Sequence, residues 1–398
     1  MKHNSLSDIT VIDFSRILSG PFCTMLLADL GATVIKIERP SIGDDARHLG
    51  PMVDNDSAYF ISVNRGKKSV TIDITKKKGV DICLAIIDKA DVLVENYSPG
   101  TMKRFNLDYE TIHHRNPRLV YASLSGFGQT GPYSKNPALD IIVQAMGGMM
   151  SITGEPDGEP IRPGASLGDS VAGLFTGMAI LTALYQRERT NLGCYIDTSM
   201  LDCQITILEN AFARYFATGI TPTAIGSRHP AAVPFEAFKT KDGYIVVAII
   251  TNENTLWKRF CNAIEQPQLS TDHRYGTSAS RVERYSELKP IFDKAFAIHT
   301  SEEWISNLSS LGIACAPIQS IDKIPQDPQI QHRTMMANIP HKTRNEWTVA
   351  NTPFNIDGVK SGPLGASPEL GEHTEDVLMN MLGLSSIDID TLRSSAII

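Results

Sequence analysis

The feature that most constrains this chain is an alternation that begins at residue 9. "ITVIDFS" (9–15) is rich in β-branched residues and reads as a strand. "SGPFCTMLLADLGA" (19–32) reads as a helix, and "TVIKIERP" (33–40) as a second strand. Pro21 suits an early helical position, where its missing N–H costs nothing, and Gly31 suits the residue past the last turn. The unit then recurs. "KSVTIDI" predicts a strand, "KKKGVDICLAIIDKA" a helix, "DVLVEN" a strand, and "RLVYASLSGFG" (118–128) a strand running into a glycine loop. Strands alternating with helices bury both element types in a parallel sheet covered on both faces, so the expected class is α/β.

From Ser170 to Arg187 the apolar positions Val171, Leu174, Phe175, Met178 and Leu181 follow helical spacing. A longer helix is predicted over "DTSMLDCQITILENAFARYFATG" (197–219). The texture then changes: "ITPTAIGSRHPAAVP" (220–234) has prolines, a glycine and little periodicity, as a linker does. "FEAFKTKDGYIVVAII" (235–250) predicts a hairpin turning at Lys241-Asp242-Gly243. Helices are expected near 253–265, 281–299 and 301–311, the last with a Thr300/Glu303 capping box, before "IACAPI" closes the unit. These textures divide the chain into a large domain with its linker (1–224), a small α/β domain (225–325) and a C-terminal segment (326–398) that returns to the large domain.

Bulk properties remove several functions. With 398 residues and a formal net charge of −7, a general nucleic-acid coat is not expected. No stretch is read as a membrane span, which needs about 20 apolar residues. "MKHNSLSDITVIDF" has no long apolar core ahead of its first strand, unlike a secretory signal. The six cysteines form no C-x-x-C pair and the ten histidines no ligand spacing, so neither a disulfide framework nor a metal site is expected. The expectation is a cytoplasmic enzyme.

The first β-α-β unit invites a dinucleotide reading, with Glu38 where a ribose-binding acid would sit. The turn "SRILSGPF" holds one glycine, Gly20, where G-x-G-x-x-G is required, so NAD is not supported. Arg39, at the same strand end, could grip a phosphate, or be a solvated arginine. In "VENYSPGTMKRF", Tyr97 and Arg104 could sandwich a purine, or be an ordinary turn. Asp140, before an apolar helical run, reads first as a cap. Asp169 in "GASLGDSVAG" (164–173) has two readings. As a cap it accepts hydrogen bonds from the first helical amides. As a nucleophile it needs free oxygens and stable ionisation; a helix N-terminus favours the anion, Ser170 could take over the cap, and Gly168 would admit a substrate. The residues alone leave both open.

Taken in order, "SGPFCTMLLADLGATVIKIERP", "GDDAR", "NRGKKSVTIDI", "VENYSPG", "SGFGQTGPY", "RPGASLGDSVAG", "FKTKDGYIVV" and "LGEHTEDVL" make the chain resemble the family III CoA-transferases, the CaiB/BaiF family. The resemblance implies a Rossmann-like large domain built from both chain ends, a small middle domain, and two ring-shaped subunits interlocked as a homodimer. It implies a coenzyme A thioester and a carboxylic acid as substrates, with no permanently bound cofactor and no metal. Asp169 matches the family's catalytic aspartate, which forms a mixed anhydride with the acyl group; the cap would then fall to Ser170. Arg39 matches a position at the adenosine-phosphate end, and Ile72, Thr75, Asn96, Tyr97 and Arg104 match positions along the nucleotide and pantetheine path. Asp140 matches an acid near the thioester.

Leu18, where some oxalate-using members have glutamine, and Pro137, where some have a CoA-binding lysine, point away from oxalate, as does the missing glycine-run loop. "SRHPAAVPFEAFKTKDGYIVV" is more similar to the succinyl-CoA:dicarboxylate branch, with Arg228 or His229 as candidates for a distal carboxylate. Two alternatives remain: an α-methylacyl-CoA racemase, whose signature histidine is here Leu139, and a non-catalytic CoA-binding protein.

Overall fold

The computed structural model describes residues 5–250 and 254–398. Its first part alternates β1 (Thr10–Asp13), α1 (Ser19–Asp29), β2 (Thr33–Glu38), a short hairpin of β3 (Met52–Val53) and β4 (Asp56–Ser57), α2 (Ala58–Asn64) and β5 (Lys68–Thr71). There follow α3 (Lys77–Ile87), β6 (Val92–Glu95), α4 (Thr101–Arg104), α5 (Tyr109–Arg115) and β7 (Val120–Ser125). Next come α6 (Asp140–Met146), α7 (Leu167–Thr190), β8 (Tyr195–Ser199), α8 (Met200–Thr206) and α9 (Glu209–Thr218).

Six strands form one parallel sheet in the order β5-β2-β1-β6-β7-β8. The central strands β1, β2 and β6 are rich in buried Val, Ile and Leu, as strands covered on both faces require. Adjacent strand residues feed opposite layers. Ile12 and Ile35 pack with α3 and the C-terminal helices Thr374–Leu382 and Ser386–Ser394, whereas Val11, Val34 and Val92 pack with α1 and α7. Strand order reverses between β1 and β6, so the crevice at their carboxyl ends is the sheet's switch point, the usual ligand position in such sheets.

Contacts divide the chain into two compact units. One comprises Met1–Met149, Arg162–Gly219 and Pro328–Ile398; the other comprises Met150–Ile161 and Ile220–Asp327. Within the second, β9 (Phe235–Lys239) and β10 (Tyr244–Ala248) form the expected antiparallel hairpin. Helices α10 (Asn254–Ala263), α11 (Ser278–Glu283), α12 (Tyr285–Phe296) and α13 (Ser301–Ser310) follow, and β11 (Ala314–Pro317) pairs antiparallel with β10. The Thr300/Glu303 capping box is present. The position 253 proposed as a helix start lies outside the described residues, as do the first four residues of the N-terminal segment read as lacking a secretory signal. Residues 150–161, left by sequence reading in the large domain, group with the second unit, where Gly226 N donates to Gly154 O (2.8 Å).

Two expectations are corrected. Residues 197–219 are not one helix: Asp197–Ser199 ends β8, whose half-exposed edge carries no apolar run to announce it, and Ser199 then caps α8 by accepting from Asp202 N (3.2 Å). Leu167–Thr190 is long and apolar enough to cross a membrane, against the reading that no stretch is. One face of it packs closely within the fold: a Cβ on Gly173 would lie 2.7 Å from Ser19 O, so α1 and α7 touch backbone to backbone.

Candidate active site

Asp169 sits in the first turn of α7 but caps nothing by its side chain. Ser166 holds the N-cap position and makes no side-chain cap bond, so Ser170 does not cap either, correcting the sequence expectation. The orphan amide is satisfied from another helix. Asp140 Oδ1 accepts from Gly168 N (2.8 Å), and its Oδ2 accepts from Gln144 Nε2 (2.7 Å) and from Arg162 Nε and Nη2 (3.0 and 2.9 Å). Asp140 is thus a cap, but of α7; in α6 it is the first helical residue, after Leu139. Gly168 serves this contact rather than substrate entry, since a Cβ there would meet Val143 Cγ2 at 2.7 Å and Asp140 Oδ1 at 3.0 Å.

The Asp169 carboxylate is therefore left for other partners. Burial raises its pKa to about 6, helped by the nearby Asp140 charge and opposed by the neighbouring Ser19 hydroxyl and by the Arg162 charge. A helix N-terminus alone would lower it; here desolvation and a like charge outweigh that field. At neutral pH the group is ionised yet more basic than an ordinary carboxylate. Tyr59 on α2 is the other neighbour. Its phenol is pushed up to about 12 by burial and by the charges of Asp169, Asp140 and Asp44.

The expected CoA-path residues divide into groups. Asn96 lies at the switch point: its Oδ1 accepts from Arg16 N (2.9 Å), and its Nδ2 donates to Arg16 O (2.8 Å) and Ser19 Oγ (3.2 Å). Tyr97 stacks under the Arg16 guanidinium, 5.2 Å from its ring centre. The arginine facing this aromatic is Arg16, while Arg104 donates to Thr101 Oγ1 (3.4 Å). Arg39 is half exposed and donates to Gly43 O (3.1 and 3.0 Å) and to Asp45. Thr75 Oγ1 donates to Asp73 Oδ1 (2.6 Å), closing a local turn. Ile72 is 1% exposed as a whole residue, its side chain in the core and its N donating to Glu38 O (2.9 Å).

Glu38 is consumed within the fold, by Arg47 Nε and Nη2 (2.7 Å each), Ser69 Oγ (2.6 Å) and Asp44 N (2.9 Å). That removes the one acid a dinucleotide reading would have used. Arg228 donates to Ile225 O (3.1 Å) and covers the Tyr285 ring, and the His229 ring stacks on Phe235, all within the second unit. Among the described residues no group of three potential ligands could hold a metal. Sequence reasoning missed Ser19, Tyr59 and Arg162. Ser19 and Arg162 lie in quoted motifs and Tyr59 between two of them, but nothing local marks a residue whose partner is 22 or more positions away.

Comparison with known proteins agrees with this geometry. The model of CoA-transferase family III matches residues 6–374. The chain is 37% identical over 394 residues to succinyl-CoA:glutarate CoA-transferase of Mus musculus, covering 99% of this chain and 90% of that protein. It is 42% identical over 329 residues to acetyl-CoA:oxalate CoA-transferase of Acetobacter aceti, covering 82% of this chain and 84% of that one. Kinship with an oxalate enzyme weakens the argument drawn from Leu18 and Pro137. A CAIB/BAIF family protein from Brucella suis superposes with a TM-score of 0.85 at 32% identity, over 96% of this chain and 100% of that one. With its parallel sheet, its switch-point crevice and this similarity along nearly its whole length, the chain belongs to CoA-transferase family III and is a CoA-transferase.

Proposed function

We propose that this enzyme moves coenzyme A from an acyl-CoA, of the succinyl-CoA class, to a small dicarboxylic acid, with Asp169 as the covalent nucleophile. The observation that carries the reading is that Asp140 caps α7 in place of Asp169, leaving the Asp169 oxygens free of helix amides. An Asp169 oxygen attacks the thioester carbonyl, the C–S bond breaks, and CoA thiolate leaves a mixed anhydride. The thiolate then attacks the Asp169 carbonyl, releasing the donor acid and forming an aspartyl-CoA thioester. The acceptor carboxylate attacks that thioester, displacing the thiolate and forming a second anhydride. Attack of the thiolate on the acceptor's acyl carbon yields the new acyl-CoA and frees Asp169. Each intermediate stays activated, as exchange between acid and thiol requires. A pKa of about 6 supports the role, since the group is both ionised and basic at neutral pH.

The CoA moiety lies along the switch-point crevice past Asn96 and Tyr97, with Arg39 and Arg104 toward its phosphates, Ile72 and Thr75 along the path, and Asp140 near the thioester. The chain works as an interlocked homodimer with 225–325 as its small domain. Support for a second copy comes from α7, whose Leu174 (48% exposed), Met178 (58%) and Tyr185 (69%) share one open face. That face borders an apolar cavity of about 510 Å³ with Leu26, Leu30 and Phe354. Light scattering on Met178→Asp should give a monomer where the native chain gives a dimer.

The test of the chemistry is a panel of acyl-CoAs and free acids, monitored for new thioesters. Hydroxylamine should modify Asp169, and only when acyl-CoA is present. Labelling elsewhere, or α-proton exchange without CoA exchange, would overturn the reading; the second result would favour a racemase.

A further inference from the structure

Among the described residues, three helices begin with a reciprocal cap: Thr277 with Ser280 on α11, Thr300 with Glu303 on α13, and Ser385 with Asp388 on the C-terminal helix Ser386–Ser394. In the last, Ser385 N and Oγ donate to Asp388 Oδ2 (2.9 and 2.7 Å), and Asp388 N donates to Ser385 Oγ (3.3 Å). The Ser385 hydroxyl, and then its amide, hold the Asp388 carboxyl below the usual carboxylate range, because both bonds favour the anion. The start of α7 carries the same pattern. Ser166 is the N-cap and Asp169 stands three residues on, the spacing of a capping box. Yet Ser166 makes no side-chain cap bond.

The backbone shows why. In the three boxes the N-cap residue is extended, with ψ of 158°, 162° and 164°. Ser166 has φ −77° and ψ 75°, the centre of an inverse γ-turn, which Leu167 N closes by donating to Ala165 O (2.9 Å). Arg162 holds that turn: its Nη2 donates to Ser166 Oγ (2.9 Å). The same guanidinium donates through Nε and Nη2 to Asp140 Oδ2 (3.0 and 2.9 Å). Asp140 Oδ1 in turn accepts from Gly168 N, the amide next to Asp169 (2.8 Å). One side chain thus holds both the serine that would close the box and the acid that caps the helix in its place. We propose that Arg162 is a positioning residue for the transfer reaction: by fixing Ser166 in its turn and Asp140 on Gly168 N, it keeps the Asp169 carboxylate out of the capping box that the local sequence encodes.

The inference rests on Asp169 being the nucleophile. The charged and titratable groups near Asp169 are Tyr59 from α2, Asp140 from α6 and Arg162 from the segment before α7, with the Ser19 hydroxyl from α1. Two roles for Arg162 predict opposite shifts. If only its charge acts on Asp169, removing it leaves the Asp140 charge unopposed, and the acid limb of kcat/KM rises. If it suppresses the box, removing it lets Ser166 N donate to the Asp169 carboxylate, as Ser385 N does to Asp388, and the limb falls.

The experiment uses the full-length enzyme carrying Arg162→Met, alone and with Ser166→Ala. Arg162→Met should lower kcat at least about tenfold, with KM for acyl-CoA within about twofold, and move the acid limb down by about one pH unit. A crystal structure of the variant should show Ser166 extended, as in the three boxes. Ser166→Ala in that background removes the hydroxyl that closes the box, and should raise kcat about threefold or more over the single variant. A folded Arg162→Met whose acid limb stays or rises, or a double variant no faster than the single, overturns the inference. Arg162→Gln, too short to bridge both partners, should shift the limb in the same direction and carries the test if Arg162→Met does not fold. A folded Arg162→Gln with the native limb would likewise overturn the inference. Transfer activity surviving in Asp169→Ala would instead sink the nucleophile reading, separating the two failures.

Discussion

At the carboxyl ends of β1 and β2 the interior is charged. Asp13, Lys36, Asp44 and Lys67 are all buried, with Lys67 Nζ on Asp13 Oδ2 (3.0 Å) and Lys36 Nζ on Asp44 Oδ2 (2.8 Å). Around β9 and β10 the interior is aromatic. Phe238 stacks on Phe296 (4.4 Å between ring centres), Phe260 meets Phe292 edge-on (5.3 Å), and Trp257 lies against both Phe260 and Phe292. The aromatic core gains stability roughly in proportion to buried area and tolerates small displacements. The charged one contributes little net stability, because desolvation offsets attraction, but each bond has a direction. Charge is concentrated where a loop must be held in one shape, and aromatic area where a unit needs only to stay folded.

Four measurements would sharpen or break that contrast. The largest effect is on chemistry: Asp169→Ala should lower CoA exchange by at least about 10⁴-fold while leaving the circular dichroism spectrum native. Second, Phe260→Ala should cost about 3–5 kcal/mol of unfolding free energy in urea titrations. A loss below about 1 kcal/mol would mean the aromatic cluster is not what holds its unit together.

Third, Asp169 is held away from its ordinary ionisation, with a pKa near 6 against 3.8. Activity should therefore fall about tenfold per pH unit below pH 6. The same shift affects stability. Between pH 3.8 and 6 the folded chain holds a proton the unfolded chain releases, so this group's contribution falls as pH rises through that window and stays unfavourable above it. Asp169→Asn should thus raise the unfolding free energy at pH 8 by on the order of 1–2 kcal/mol and leave it unchanged near pH 3. An unchanged or lower stability at pH 8 would contradict that assignment. The smallest effect is local: Thr300→Ala, losing the cap of α13, should cost about 1 kcal/mol, visible as a small drop in Tm.

Much of the scaffold was legible because its signals are short-range. The β1-α1-β2 unit shows in β-branched runs and a helix bounded by Pro21 and Gly31, the β9–β10 hairpin in Lys241-Asp242-Gly243, and α13 in a capping box spanning four residues. Asp197–Ser199, the end of edge strand β8, reads as helix because its residues carry no apolar run and lead straight into α8. The segment 150–161 lacks periodicity, so nothing in it names the neighbours it groups with.

By itself the sequence determined the α/β alternation, the place of the motifs on it, and the kinship that singles out Asp169 among 44 acidic residues. Only the tertiary structure decided which carboxylate caps α7. A capping signal is read within one turn of helix, and the residue that satisfies Gly168 N is Asp140, 28 positions earlier. The tertiary structure also decided what surrounds Asp169, since Ser19 and Asn96 meet across 77 residues and Arg16 and Asn96 across 80. Such bonds leave no period and no spacing in the chain, because they form only where the sheet's reversal brings the ends of β1 and β6 together.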